Sequence, residues 1–470
     1  MEQFNNFNNN PYDDNSYEAA IKKLYGLQSN STYLKLATKN NSQTSDYKLL
    51  DTIKYLVRSG ITLEKLDTLS VIHVGGTKGK GSTCAYTEAI LREHGFKTGF
   101  FSSPHLISVR ERIRLNGQPI SEMHFTQNFW KIYKKLEDTR EYESDMPAYF
   151  NFLTILMFNV FLDEHVDVAI IEVGIGGLYD CTNIVRNPVC VGITSLGLDH
   201  TSLLGNSLED IAYQKSGIFK SGTIAFSVPQ LPQAMYVLEK RAIEKNCKLH
   251  IIPTFDEYKW ENISPTLQII NKVQQQNASL AIQMAIEWIQ SKTDKISNVL
   301  HNSINNNIYC KYKESSQIIV SMDKVAIGLS CCKWPGRMQV LKSSIGDFFL
   351  DGAHTIESIK CCISWFNDIS NKNRGKRFLI FNTSGIKSLD DEVNCSLIDE
   401  QKIKCEMNSK IWGTNSVIVN SVFEVLQDIK NNSEQNQIFE KNQILVTGSL
   451  HLIGTVLTIL DPNLTMNTQF

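Results

Sequence analysis

The sequence predicts an α/β protein, a doubly wound parallel sheet followed by a second, smaller α/β domain. Three observations lead there. Short apolar runs rich in branched residues recur at Val71–Val74, Val166–Val173, Val189–Thr194 and Ile224–Val228. Segments with helical periodicity separate them, and runs apolar on both faces that alternate with helices mark a parallel sheet covered on two sides. The length of 470 residues exceeds what one hydrophobic core usually supports, and a further strand set follows Trp334-Pro335-Gly336.

The Asn-rich first thirty residues read as an unstructured tail, because their composition offers little apolar surface to offset ordering entropy. Tyr47–Arg58 has the apolar spacing of a helix and meets Gly60 where a helix would stop. Thr83–His94, closing at Gly95, and Leu208–Lys220 are the helices expected between strands. In the second set, Asp347–Leu350, Arg377–Phe381 and Gln443–Val446 are the expected strands. The reading divides the chain into a tail at 1–30, a larger domain at 31–330 and a smaller carboxyl-terminal α/β domain at 331–470. No repeat of solenoid length is visible.

Hydrophobic residues at 42% and charged residues at 20% are ordinary for a folded globular chain. A formal net charge of −2 gives no general attraction for nucleic acid or anionic membrane, so neither is expected as a partner. The amino terminus has neither the apolar core of a secretory signal nor the Arg-rich character of a mitochondrial presequence, and a cytoplasmic address is expected, with no membrane span. The eleven cysteines form no C-x-x-C repeat and read as reduced thiols.

The chemistry starts at VIHVGGTKGKGSTCAYTEAIL, residues Val71 to Leu91. A strand, a glycine-rich loop and a helix in succession make a phosphate cradle, since backbone N–H groups converge with the positive end of the helix dipole. Lys80 supplies a charge for the β- and γ-phosphates and Ser82 a hydroxyl near the metal. Gly81 separates the lysine from the hydroxyl, unlike the common G-x-x-x-x-G-K-[ST] loop, which points away from GTPases and motor ATPases. A glycine-rich turn with no ligand is the plainer alternative.

Glu172 ends a buried apolar run and needs a cation or a donor, magnesium or a structural ion pair. Asp199-His200 lies beyond a strand's carboxyl end, where open parallel sheets bind ligands. Lys215, taken alone, is a solvated helix lysine.

The ordered blocks HVGGTKGKGST, GFFSSPHL, VRERIRLNGQPIS, EVGIGGLYDCTN, LGLDHTSLLG, WPGRMQVL, LDGAHT and LVTGSLHLIG resemble those of the eukaryotic-type folylpolyglutamate synthase family of the Mur ligase superfamily. The resemblance is dense over about residues 45–385 and resumes near 443–460. It implies a parallel-sheet P-loop ATPase domain of the Mur-ligase central type, a smaller Rossmann-like domain, and an active site in the cleft between them. The implied activity is ATP-dependent amide ligation, joining L-glutamate to the γ-carboxyl of the tetrahydrofolate tail by a monomeric enzyme.

Carried over by motif, Gly79, Lys80, Gly81 and Ser82 hold the triphosphate, and Asn277, Arg337 and Asp351 complete the nucleotide contacts. Ser103, Glu172 and His200 resemble the Mg2+ ligands. Lys80, Lys215 and His354 take the catalytic roles; Lys215 matches a lysine that many members carbamylate, and the resemblance leaves room for a monovalent cation of unstated identity. Closure about a hinge near 330 is expected to keep water from an acyl phosphate.

The chain departs from the family pattern at Gly75, Val273 and Ser216, and the stretch 385–442 is short. Dihydrofolate synthase, or a bifunctional enzyme, shares the same phosphate and metal residues. A nucleotide-binding relative that has lost its ligase activity is the alternative from another class.

Overall fold

The computed structural model describes residues 15–27, 44–267, 271–304, 320–370, 375–382, 405–406, 409–410, 417–419, 421–435 and 441–466. The chain divides into two compact units. One comprises Met1–Lys78, Phe96–Phe101 and Ile113–His250; the other comprises Gly79–Gly95, Ser102–Arg112 and Ile251–Phe470.

The first unit is organised by an eight-stranded sheet in the order β4-β3-β2-β5-β1-β6-β7-β8. Its strands are β1 (Val71–Gly75), β2 (Thr98–Phe101), β3 (Ile113–Leu115), β4 (Gln118–Pro119), β5 (Val168–Glu172), β6 (Cys190–Ile193), β7 (Ile224–Ser227) and β8 (Lys248–Ile251). Every residue of β1, β2, β5 and β6 is buried, which is why β1, β5 and β6 read as near-continuous apolar runs. The central pairs are parallel: Val74 lies opposite Glu172, and Gly75 opposite Ile193. The carboxyl ends of β5, β1 and β6 are thereby level, and the loops that leave them emerge at one edge. Beneath that edge Val173, Val191, Ile193, Ile218 and Phe219 share a core with Ala234 and Leu238 of the helix Pro232–Glu244.

The second unit holds a four-stranded sheet in the order β11-β12-β10-β9. Here β9 is Gln339–Lys342, β10 Gly346–Asp351, β11 Arg377–Phe381 and β12 Asn442–Thr447. β10, β12 and β11 run parallel while β9 is antiparallel to β10. Phe348, Leu350, Ile444 and Val446 pack on Ile453, Val456, Leu457 and Leu460 of the helix Leu450–Leu460. The same unit carries the helices Lys80–Glu93, Lys272–Ile304 and Met322–Cys331. Gly328 permits close helix packing, since a Cβ there would lie 2.8 Å from Ile90 Cα.

Two expectations need correction. Within the expected tail, Tyr17–Tyr25 is a helix capped by Ser16, with Ala20 and Leu24 buried and Tyr17 edge-on to Phe125. Tyr17, Ala20, Ile21 and Leu24 form an apolar stripe that the Asn-rich composition around them concealed. The expected helix Leu208–Lys220 ends at Lys215 and gives way to a 3-10 turn, Ser216–Ile218. Gly217 is the reason: a Cβ there would lie 2.3 Å from Leu178 Cα, so the chain turns where the loop after β5 crosses it. The short stretch 385–442 falls largely outside the described residues.

Candidate active site

The loop leaving β1 is built from contacts that only its own sequence allows. Gly76 has φ +143°, and a Cβ on it would fall 1.8 Å from Thr194 Oγ1. The Ser195 carbonyl accepts from Thr77 N at 2.9 Å and Lys78 N at 3.2 Å. Thr77 Oγ1 donates to Gly197 O and accepts from Gly197 N, each at 3.1 Å. Lys78 Nζ pairs with Asp199 at 3.0 Å. Burial alone would raise the Asp199 carboxyl, and Lys78 more than reverses this, holding it below its ordinary value. The first lysine of TKGK therefore ties the loop after β1 to the loop after β6.

Lys215 approaches the same loop from the helix Leu208–Lys215. It is buried, and its Nζ donates to the Gly76 carbonyl at 2.7 Å. Glu172, also buried, closes β5 opposite Val74, and Val173 N donates back to Val74 O at 2.9 Å. The glycines that follow are required by proximity. A Cβ on Gly174 would meet Phe150 Cζ at 2.6 Å, and one on Gly177 would meet Gln214 O at 2.8 Å and Lys215 O at 2.9 Å. His200 stands at φ +50° directly after Asp199, its backbone N donating to Asp199 Oδ1 at 3.0 Å.

Gly79 opens the helix Lys80–Glu93 at φ +91°. That helix has no side-chain cap and no acidic residue in its first turn, so the orphan N–H groups of Lys80, Gly81 and Ser82 form an anion-binding end. Among the described residues Lys80 has no ion-pair partner, in contrast to Lys78. Asn277, buried on the helix Lys272–Ile304, presses on Gly79: a Cβ there would lie 2.3 Å from Asn277 Oδ1.

In the same unit, Asp351 ends β10 with both carboxylate oxygens engaged. Oδ2 accepts from Met338 N at 2.8 Å and Oδ1 from Ala353 N at 3.0 Å. Burial raises its pKa, against the nearby Arg337 guanidinium and these two donors. Arg337 sits in a turn held by Gly336 N donating to Gln339 Oε1 at 2.8 Å. His354 is exposed and donates from Nδ1 to Gly352 O at 2.9 Å, which places the acceptor of a neutral ring at Nε2. Ser103 lies on the segment leading to Glu111, whose carboxylate accepts from the backbone of Leu106, Ile107 and Ser108 at 2.9, 2.8 and 2.6 Å.

No family model matches the sequence. The mitochondrial folylpolyglutamate synthase of Bos taurus is 45% identical over 381 residues, which is 79% of this chain. That of Cricetulus griseus is 35% identical over 550 residues, covering 95% of this chain and 92% of its own length. The chain belongs to the folylpolyglutamate synthase family. It spans 64% of the length of the bovine relative. Its fold is that of a solved folylpolyglutamate synthase in complex with AMPPCP and folate, with a TM-score of 0.68 at 22% identity over 94% of this chain and 98% of the other.

For a folylpolyglutamate synthase family member, the predicted residues fall into three groups. Glu172, His200 and Lys215 gather around Gly75–Lys78 at the edge of the larger sheet. Gly79, Lys80, Gly81 and Ser82 share a helix end with Asn277. Arg337, Asp351 and His354 surround one turn beside β10. Sequence reasoning missed the partners that fix these groups: Thr77 with Gly197, Lys78 with Asp199, and Glu111 beneath the Ser103 segment. Lys78 carried a signal as a second lysine in a loop that needs one, and Asp199 as half of the Asp199-His200 pair beyond a strand's end.

Proposed function

We propose that this chain is an ATP-dependent acid–amino-acid ligase that joins L-glutamate to the γ-carboxyl of tetrahydrofolate and its glutamate-bearing forms. The observation that carries the reading is the uncapped helix end at Gly79–Ser82, pressed by Asn277, in a chain of this family. A carboxylate is a poor electrophile, so the γ-carboxyl first attacks the γ-phosphate of ATP. Acyl phosphate forms and ADP leaves. The glutamate amine then adds to the acyl carbon, the tetrahedral adduct expels phosphate, and the amine gives up a proton.

The helix-end N–H groups and Lys80 bind and orient the triphosphate and offset charge at the transferring phosphoryl group. Asp351 positions Arg337 by holding the next residue's N–H. We assign His354 Nε2 to take the amine proton. A buried Glu172 carboxylate fits a hard cation, and with Ser103 and His200 it would hold Mg2+. When bound, that ion polarises phosphoryl oxygens. Carbamylation of Lys215 and a cytoplasmic address belong to the same reading, as does the division of work between residues 31–330 and 331–470.

The test is an assay with purified protein, magnesium ATP, radiolabelled glutamate and either tetrahydrofolate or dihydropteroate. Product with tetrahydrofolate is expected. Product with dihydropteroate alone indicates a dihydrofolate synthase, and nucleotide binding without product indicates a non-catalytic relative. Lys80→Ala and Glu172→Ala are expected to abolish turnover while the circular dichroism spectrum is retained.

A further inference from the structure

β1 contains a polar residue that the reaction leaves unused. His73 lies opposite Ile171 on one side and Val191 on the other and is fully buried. Its Nε2 is 2.8 Å from Thr182 Oγ1. Thr182 Oγ1 in turn donates to Asp180 Oδ1 at 2.6 Å, so its oxygen is left to accept, and His73 must donate from Nε2. Asp180 Oδ1 also accepts from Thr182 N at 3.0 Å, and Oδ2 accepts from Ile175 N at 3.0 Å. His73 Nδ1 has no partner among the described residues.

These bonds join β1 to the loop that begins directly after Glu172. A buried imidazole with one orphaned nitrogen is costly in a sheet centre where an aliphatic residue would pack, so its retention asks for a use. The loop it reaches has three glycines, Gly174, Gly176 and Gly177, which bring no side chain of their own to fix it. Asp180 is the anchor of that loop, and His73 fixes the anchor through Thr182.

We propose that His73, Thr182 and Asp180 form a hydrogen-bonded strut that positions the loop after Glu172, and through it the carboxylate that meets the metal–nucleotide complex. This rests on the ligase reading above, in which Glu172 holds Mg2+. His73 and Thr182 are positioning residues and touch no substrate. The strut acts on metal-dependent nucleotide binding and leaves metal-free binding alone. Removing outer partners of a ligand typically weakens metal binding about 10-fold or more.

The experiment measures AMPPCP binding to the full chain by calorimetry across a range of Mg2+ concentrations. His73→Leu and Thr182→Val are each expected to raise the Mg2+ needed for half-maximal tight binding about 10-fold, with Mg2+-free AMPPCP affinity unchanged. His73→Gln, whose amide nitrogen can stand near the Nε2 position, is expected to recover most of the loss. The double variant is expected to be no worse than either single one, because one chain of bonds is broken once. Additive losses, or an unchanged Mg2+ requirement, would overturn the proposal, as would a wild-type affinity that ignores Mg2+. Should the variants fail to fold, 15N-resolved imidazole spectra of the wild-type chain decide. An Nε2–H tautomer supports the strut and an Nδ1–H tautomer overturns it. Wild-type chain that binds Mg2+–AMPPCP tightly yet forms no folate product would instead refute the ligase reading.

Discussion

Lys215 Nζ donates to the carbonyl of Gly76 at 2.7 Å, so a buried lysine at a helix end fixes the first turn of the phosphate loop. Removing the donor leaves a buried carbonyl unpaired, at about 1–3 kcal/mol, or roughly 5- to 150-fold in a rate or affinity. Lys215→Met is therefore expected to lower kcat/KM for ATP by at least about 5-fold. Carbamylation adds a second readout: 13C-bicarbonate should give a protein-bound carbamate carbon in the wild type and none in Lys215→Met. A variant with wild-type kinetics removes Lys215 from the site.

Gly79 and Gly95 flank the same helix with nearly the same backbone angle, φ +91° and +94°. Their surroundings differ. A Cβ at Gly79 would strike Asn277 Oδ1 at 2.3 Å, whereas one at Gly95 meets nothing within 4 Å. Both Gly→Ala changes force a left-handed alanine, at about 1 kcal/mol or more. Gly79→Ala must in addition displace Asn277, and should weaken AMPPCP binding. Gly95→Ala should lower the melting temperature and leave binding intact. Equal binding losses in the two variants would show that strain alone, and not the Asn277 contact, shapes the nucleotide end.

The second sheet's β10, β11 and β12 were legible in the sequence, and in the larger sheet the legible strands are those with near-continuous apolar runs. β1, β5, β6 and β7 are buried in the middle of a sheet, and no other periodicity competes with the signal. β2 is as buried, but it is short and contains Gly99, into which Phe161 packs: a Cβ would lie 2.9 Å from its ring. The hairpin of β3 and β4 turns at Asn116 (φ +48°) and Gly117 (φ +79°), an Asn-Gly pair that is a strong turn signal. β8 is mostly exposed and β9 pairs only on one side, so neither makes an apolar run. At the site, glycines and the Lys80 helix end were readable because they follow from local backbone chemistry. The pairing of Asp199 with Lys78 and the roles of Glu111 and Thr182 were not, since they depend on which segments the fold brings together.

Asp145 is fully buried and accepts from Lys54 at 2.8 Å, Tyr55 at 2.9 Å and Arg58 at 2.5 Å. Burial would raise its pKa, but Arg58 and Lys54 outweigh it and hold the carboxyl far below the usual carboxylate range. The unfolded chain takes up a proton near pH 4 while the folded chain does not, so the stabilisation is full above that pH and fades as pH falls further. Asp145→Asn leaves two cations facing a neutral amide and should cost about 3 kcal/mol at neutral pH. Denaturant melts should show this gap narrowing below about pH 4. A gap that is constant with pH would mean that the ion pairs contribute nothing.

His73 gives the opposite kind of titration, a base kept neutral. Burial, with a smaller contribution from Lys220, pushes its pKa down to about 3. An unfolded histidine binds its proton near pH 6.5, so below that value only the unfolded state gains the proton and stability falls. The slope for one such group is about 1.4 kcal/mol per pH unit, and it persists as pH drops until the folded value is reached. His73→Gln removes this proton uptake without emptying the sheet centre. The variant should therefore be less stable than wild type at pH 7, with the difference shrinking steadily between pH 6.5 and pH 4 in thermal or urea melts. A difference that stays flat over that range would show that His73 is protonated in the folded chain, and Thr182 would then have to accept from an imidazolium.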